Sequence, residues 1–309
     1  MFTRSQPDAL SGESAAGHRP ELLWDHAGTL SGFGSPGAWL VFDYDGTLAP
    51  LVAVRGAAEM RQSTALLFAR LCSRFRCAVL SGRARVDVAA RMGAAKPAVI
   101  IGNHGAEDGD ILEWSRPGGL LHSGAPNHLS ATSGPGPGPG SGFNAKETIA
   151  LIGQVLDRLS ENTSSLDISE GDIENKRFSL SVHFPRAATV GNHGDIVPEV
   201  LAQKKMAVQD ILRPFLPHIT VMTGRHVLNI VSTNAPNKGD ALRKLAHLAA
   251  AAPILFAGDD VTDEDGFRVG PPLVTGVRIG FSTQSAASYY VESQPEIDRL
   301  LEALLKTGT

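Results

Sequence analysis

The sequence predicts an α/β protein: a doubly wound, Rossmann-like parallel sheet whose chain is interrupted by a second, smaller α/β module. Three observations predict it. Short uninterrupted apolar runs alternate with helical stretches between residues 38 and 102, and the same alternation returns after residue 238. Between those stretches the order changes to helix, two strands, helix, two strands, the texture of an antiparallel module. A Gly/Pro-rich segment stands where the first pattern stops.

Taken in order, Ala38–Phe42 (AWLVF) is a continuous apolar run, as expected of a strand covered on both faces. Gly56–Phe75 is read as an amphipathic helix with Leu66, Leu67, Ala69 and Leu71 at helical spacings. Arg76–Leu80 (RCAVL) is the next strand, Val86–Met92 a helix, and Ala98–Gly102 a third strand. Right-handed crossovers then place the strand C-termini on one edge, where open α/β sheets bind ligands. Gly118–Gly142 contains GPGPGPGSG, which has neither an apolar face nor a three-residue period, so it is a loop.

Lys146–Leu159 and Ile196–Phe215 follow as helices. Leu166–Ser169 and Phe178–Phe184 are read as strands, and His218–Met222 with His226–Val231 as a hairpin through Thr223-Gly224-Arg225. The parallel pattern resumes with a helix over Gly239–Ala251, strands at Ile254–Ala257 and near Val277–Gly280, and a helix over Glu296–Leu305. The expected organisation is a flexible leader (1–35), a core in two segments (36–112 and 236–309), the Gly/Pro loop (113–143) and an inserted module (144–235). Within the leader, Trp24 with Leu22 and Leu23 could dock a short helix on the body.

Composition narrows the function. At 309 residues, with 42% hydrophobic and 19% charged residues, the chain can bury a sizeable core. A formal net charge of −4 without any Lys/Arg stripe argues against nucleic acid as a partner. Cys72 and Cys77, the only cysteines, flank a helix-to-strand turn and read as small thiols, not a disulfide framework or zinc site. No apolar run is long enough to span a bilayer, and the N-terminus lacks a secretory core, so a cytoplasmic location is expected. The sequence does not specify an oligomeric state.

Four strings at strand ends or helix starts carry chemistry. Asp43-Tyr44-Asp45-Gly46-Thr47-Leu48 follows the first strand, and two carboxylates one residue apart at a Gly turn can converge on one cation or phosphorus atom. A helix-capping Asp-Gly turn, or the Asp-x-Asp metal motif of nucleotide-sugar glycosyltransferases, would give the same string. Ser81-Gly82-Arg83 offers a hydroxyl and a small-residue turn for an anion, or simply a helix N-cap by Ser81. In Asn237-Lys238-Gly239 a lysine opens a helix, a position unfavourable to cations unless the lysine faces an anion or is solvated. Gly258-Asp259-Asp260-Val261-Thr262-Asp263-Glu264-Asp265 fails the calcium-loop pattern at Val261. It can ligate a metal through Asp259 or serve as an acidic helix start.

Together these strings resemble the haloacid dehalogenase superfamily of phosphohydrolases. FDYDGTLAPL, LSGR, NHGAE, ENKRFSLSVHF, NKG and GDDVTDEDGF look like the trehalose-6-phosphate phosphatase family within it. The resemblance implies a core with an α/β cap, and a sugar phosphate as substrate. It implies Asp43 as nucleophile and Asp45 as general acid/base. Magnesium would be held by Asp43, the Asp45 backbone carbonyl and Asp259. Thr47, Ser81, Gly82 and Lys238 would form the phosphate site, and Asp260 and Asp263 would support the metal ligands. His104 is read as structural, since Asp45 already fills the acid/base role.

The cap residues follow the family less closely. Glu174, Lys176 and His183 match sugar-binding positions, but Pro185 stands where the family has an arginine, with Arg186 one place later. Asn229 replaces a sugar-binding glutamate, and Val231 and Ser232 replace a basic residue and a proline. Asparagine can bond a hydroxyl but lacks the charge assistance of a carboxylate. Trehalose 6-phosphate is therefore the leading substrate, beside another glycosyl phosphate and a non-catalytic binding domain of the same fold.

Overall fold

The computed structural model describes residues 19–35, 37–52, 55–107, 143–184, 198–224, 226–248 and 252–308. The first part of the leader, most of the Gly/Pro loop, Pro185, Arg186 and Arg225 lie outside the described residues.

The strands are β1 (Glu21–Leu22), β2 (Trp39–Phe42), β3 (Arg76–Leu80), β4 (Val99–Ile101), β5 (Ile173–Asn175), β6 (Ser179–His183), β7 (Ile219–Thr223), β8 (Val227–Ser232), β9 (Ile254–Gly258), β10 (Val274–Ile279) and β11 (Tyr289–Val291). Seven form one sheet in the order β1-β11-β10-β9-β2-β3-β4, and every pairing in it is parallel. Alternation along the central strands explains why they read as continuous apolar runs. Leu40, Phe42, Cys77, Val79, Leu255 and Ala257 enter one core, while Trp39, Val41, Ala78, Leu80, Ile254 and Phe256 enter another on the opposite face. The first core is closed by Phe68 and Leu71 of helix Gln62–Arg74 and by Leu300, Leu301 and Leu304 of helix Ile297–Thr307. The second is closed by Leu242 and Leu245 of helix Lys238–Leu248.

The second sheet is antiparallel, in the order β5-β6-β8-β7. Leu180, Val182, Leu228 and Ile230 form its packed face. Against it lie Ile152, Val155 and Leu159 of helix Ala145–Ser160 and Val208 and Leu212 of helix Pro198–Leu212. Cys72 and Cys77 are free thiols. Among the described residues no helix is long and apolar enough to cross a membrane.

Three expectations are corrected. The leader is not flexible through residue 35: Glu21 and Leu22 extend the large sheet beside Tyr289 and Tyr290, and Leu23, Leu30 and Phe33 are buried in the first core. A short strand and widely spaced apolar anchors leave little periodic signal, which is why composition misled. The helix expected from Gly56 begins at Gln62, because Arg61 is extended (φ −57°, ψ 151°) and is held there by Gln294 and Asp298. Leu66 accordingly faces solvent. Leu166–Ser169 is not a strand. Thr163–Leu166 forms a helical turn ended by Asp167 at φ 49°, held by the Thr163 and Ser165 hydroxyls on the Ser160 and Asn162 carbonyls. The strand comes later, at Ile173–Asn175.

Candidate active site

The strand order reverses between β2 and β9: the chain runs from β2 outward to β3 and β4, and from β9 outward to β10 and β11 on the other side. A crevice opens beyond the C-terminal strand ends at such a reversal. Asp43 and Asp259 are the first residues past the two strands that border it. The Asp43 N–H still donates to the Ala257 carbonyl (2.9 Å), so β9 fixes its backbone.

Asp43, Asp259 and Asp263 each offer a carboxylate oxygen, and these lie within 4.8 Å of one another. Gly46, at φ +79°, makes the approach possible: a Cβ there would collide with the Asp259 carboxylate. The Thr47 hydroxyl donates to Asp259 Oδ1 (3.5 Å), and its carbonyl accepts from Gln294 (2.7 Å). Lys238 does face anions: its buried ammonium donates to Asp43 Oδ1 (2.8 Å) and Asp263 Oδ1 (2.6 Å). The other Asp263 oxygen accepts the Asp259 and Asp260 N–H groups (3.0 and 2.9 Å), which shapes the loop after β9. Asp260 completes that loop by capping Val261 (2.6 Å).

Burial dominates the electrostatics. It pushes the Asp43 carboxyl up to about 7, with Lys238 opposing and Asp263 adding to the rise. Burial, then the neighbouring Asp43 and Asp263 carboxylates, pushes Asp259 well above the usual range. Burial alone would lower Lys238, but the Asp263 and Asp43 charges reverse this and raise it. The ammonium thus bonds two of the three carboxylates, Asp43 and Asp263. A buried, hard-oxygen donor set with excess negative charge suits a small divalent cation, so these residues fit one.

Asp45 lies outside this triad. Arg83, only 2% exposed, grips both its oxygens at 2.6 Å and reaches Asp87 at 2.7 Å, which is also bonded by Arg91 at 3.1 Å. Burial alone would lower the Arg83 pKa; the bonds to Asp45 and Asp87 outweigh this and raise it. No role was read for Arg83 in the sequence, although arginine, aspartate and arginine at successive four-residue steps along 83–91 were a visible signal. Ser81 is not a helix cap, because the helix starts at Arg85 with Ala84 in the cap position. Its buried hydroxyl accepts the Arg83 N–H (3.2 Å) at the end of β3. Gly82 is packed by the His104 ring where a Cβ would stand.

The module's residues also assemble. Glu174, Ser181 and Asn229 are paired across β5, β6 and β8, so they share the face opposite the packed one, with His183 two residues along from Ser181. His183 Nε2 bonds Glu174 (3.1 Å), and Asn229 Oδ1 accepts the Ser181 hydroxyl (2.6 Å). Buried Lys176 reaches the Gly82 carbonyl (3.3 Å) and stands 3.9 Å from Glu174. Ser181 was not anticipated; only its alternation with His183 could have pointed to it.

Buried carboxylates at the strand reversal, two of them bonded by a helix-start lysine, make a pocket suited to a phosphoryl group and a divalent cation. The family model described as Trehalose-phosphatase matches residues 41–295, and the chain belongs to that family. The probable trehalose-phosphate phosphatase G of Arabidopsis thaliana is 30% identical over 86% of this chain and 68% of its own length. The trehalose-phosphate phosphatase of Mycobacterium avium (strain 104) is 30% identical over 87% of this chain and 61% of its own. In fold, the chain is similar to the C. albicans trehalose-6-phosphate phosphatase C-terminal domain, with a TM-score of 0.66 at 20% identity over 95% of this chain and 99% of that one. A trehalose-6-phosphate phosphatase related protein gives 0.59 at 21% identity over 87% and 98%. The glycosyltransferase and non-catalytic alternatives fall with this membership.

Proposed function

We propose that the chain hydrolyses trehalose 6-phosphate to trehalose and phosphate through an aspartyl phosphate on Asp43, with magnesium as the divalent ion. The observation that carries this reading is the Asp43–Lys238–Asp259 cluster at the sheet reversal. The relatives' names supply the sugar.

In this mechanism Asp43 forms a bond to phosphorus as the bond to the sugar oxygen breaks, and Asp45 gives that oxygen a proton. Asp45 then takes a proton from water, whose oxygen attacks phosphorus and releases Asp43. Arg83 bonds both Asp45 oxygens in this structure, so Asp45 leaves that fork to reach the sugar oxygen. Lys238 and the Ser81 hydroxyl hold phosphoryl oxygens, and the Gly82 turn allows their approach. Thr47 steadies Asp259, while Asp260 and Asp263 steady the loop. Asp43, the Asp45 carbonyl and Asp259 would hold magnesium, which supplies charge neutralisation between the carboxylate and the phosphoryl group. Residues 144–235 act as the cap over the core formed by 36–112 and 236–309. Glu174, Lys176, His183 and Asn229 meet the sugar while the cap excludes water.

Asn229, already bonded to Ser181 in place of a free carboxylate, favours a second reading: another glycosyl phosphate. Phosphate release from a panel of sugar phosphates, with and without magnesium, separates the two. The highest kcat/KM on trehalose 6-phosphate supports the first; a clear preference for another sugar overturns it.

A further inference from the structure

Asn103 follows β4 at φ +48°, a left-handed backbone that asparagine tolerates better than most residues. Its N–H donates to the Arg83 carbonyl (2.8 Å), and the His104 N–H donates to the Ser81 carbonyl (3.0 Å), so this turn is bonded to the loop that carries Ser81. Its side chain is committed to the other module. Nδ2 donates to the Lys176 carbonyl (2.9 Å) and Oδ1 accepts the Ser179 hydroxyl (2.7 Å), both contacts buried. Lys176 and Ser179 bracket the turn between β5 and β6, and the Lys176 ammonium returns to the Gly82 carbonyl (3.3 Å). The Asn103 amide thus uses both its ends on one hairpin while its backbone is fixed to the phosphate loop.

We propose that Asn103 is a positioning residue for the substrate. It holds the hairpin of Glu174, Lys176 and His183 in register with the Ser81 loop, so that groups reading the sugar and groups holding the phosphoryl stand at a fixed separation. The inference rests on the proposed sugar-phosphatase reading. An enzyme that binds one substrate at two ends loses productive geometry when the ends shift relative to each other. Few side chains can replace this one. Aspartate would set a carboxylate against the Lys176 carbonyl, and serine is too short to reach both partners.

The test compares a two-ended substrate with a one-ended one. Asn103→Gly keeps the left-handed turn free of strain and removes both bonds; Ser179→Ala removes one. KM for trehalose 6-phosphate, or for the best sugar phosphate of the panel, rises about tenfold in N103G and about threefold in S179A. With p-nitrophenyl phosphate, which has no sugar for the hairpin to meet, kcat/KM stays within about twofold. The double variant is no worse than N103G, because both changes break one bridge. Equal losses on both substrates, or no loss on either, overturn the assignment while leaving the phosphatase reading intact. An unaltered protein that cleaves the aryl phosphate and no sugar phosphate overturns both. Should N103G not fold, the same split measured on S179A decides.

Discussion

The two sheets hold their polar residues in opposite ways. On the parallel sheet, Asp43, Lys238 and Asp263 are almost fully buried, with Lys238 bonded to both carboxylates, and each comes from a short string at a strand end or helix start. On the antiparallel sheet the polar residues are spread along three strands, and Glu174 keeps 38% of its side chain exposed. In the proposed mechanism the difference separates two jobs. Phosphoryl transfer needs preorganised charge in a dry pocket, where displacement is costly. Sugar recognition is spread over hydroxyl-sized contacts, each of which can be exchanged at modest cost. Changes on the first sheet should therefore destroy turnover or the fold, and changes on the second should mainly move KM.

The largest expected effect is on turnover. If Asp43 is the nucleophile as proposed, Asp43→Asn removes the attacking oxygen and should lower kcat on the order of 10⁴-fold or more. It also relieves a carboxyl that burial already disfavours, so the melting temperature should hold or rise. Measurable single-turnover phosphate release by this variant would break the comparison at its strongest point.

Next is stability. Lys238→Met strips the ammonium from two buried carboxylates, and losing one partner of such a buried group costs about 3–5 kcal/mol. Urea unfolding monitored by circular dichroism measures this. A loss below about 1 kcal/mol, the range of surface pairs, would mean that the cluster is far more hydrated than its burial implies.

A third prediction concerns pH and the cation. Asp43 titrates at about 7 in the fold against 3.8 as an ordinary side chain. Its contribution is fully favourable below 3.8 and is lost as pH rises through 7, because the folded chain retains a proton that the unfolded chain has released. The raised Asp259 has the same sign. Magnesium binds the ionised carboxylates and so opposes this loss. At a hundredfold excess over Kd it should add about 2.7 kcal/mol at pH 7.5, and much less at pH 5. Differential scanning calorimetry at the two pH values reads it, and a magnesium effect equal at both would exclude Asp43 and Asp259 as its ligands.

The same contrast explains what could be read from the sequence. β2, β3 and β9 are covered on both faces, so their runs are uninterrupted, and the strings after β2 and β9 single out Asp43 and Asp259, which the fold brings together at the reversal. Less was legible where partners are distant along the chain. Arg83 meets Asp45 from 38 positions away, and Asn103 meets Ser179 from 76. Neither pairing leaves a local period. β1 is two residues long and its partner β11 lies at the other end of the chain, so that pairing leaves no local signal, whereas Leu22, Leu23 and Trp24 do point to the short helical segment that packs Leu23, Leu30 and Phe33 on the body. At Leu166 a local apolar residue pointed to a strand, but serine and threonine hydroxyls bonding back to carbonyls made a helical turn instead.

The smallest predicted effect is the most informative about substrate. Asn229 and Glu174 flank Ser181 in one row, so two strand spacings, roughly 10 Å, separate them. A second carboxylate at that distance would be largely screened from the first. Asn229→Glu would then give the polar face a charge-assisted acceptor at small electrostatic cost. If trehalose is the sugar that this face meets, KM for trehalose 6-phosphate should fall about three- to tenfold with kcat unchanged, because the gain is uniform binding and not transition-state binding. If another glycosyl phosphate is the substrate, the Ser181–Asn229 pair is already matched to its hydroxyls, and breaking their 2.6 Å bond should raise KM for that sugar. The sign of one KM change, measured on both substrates, therefore identifies the sugar for which this sheet is arranged.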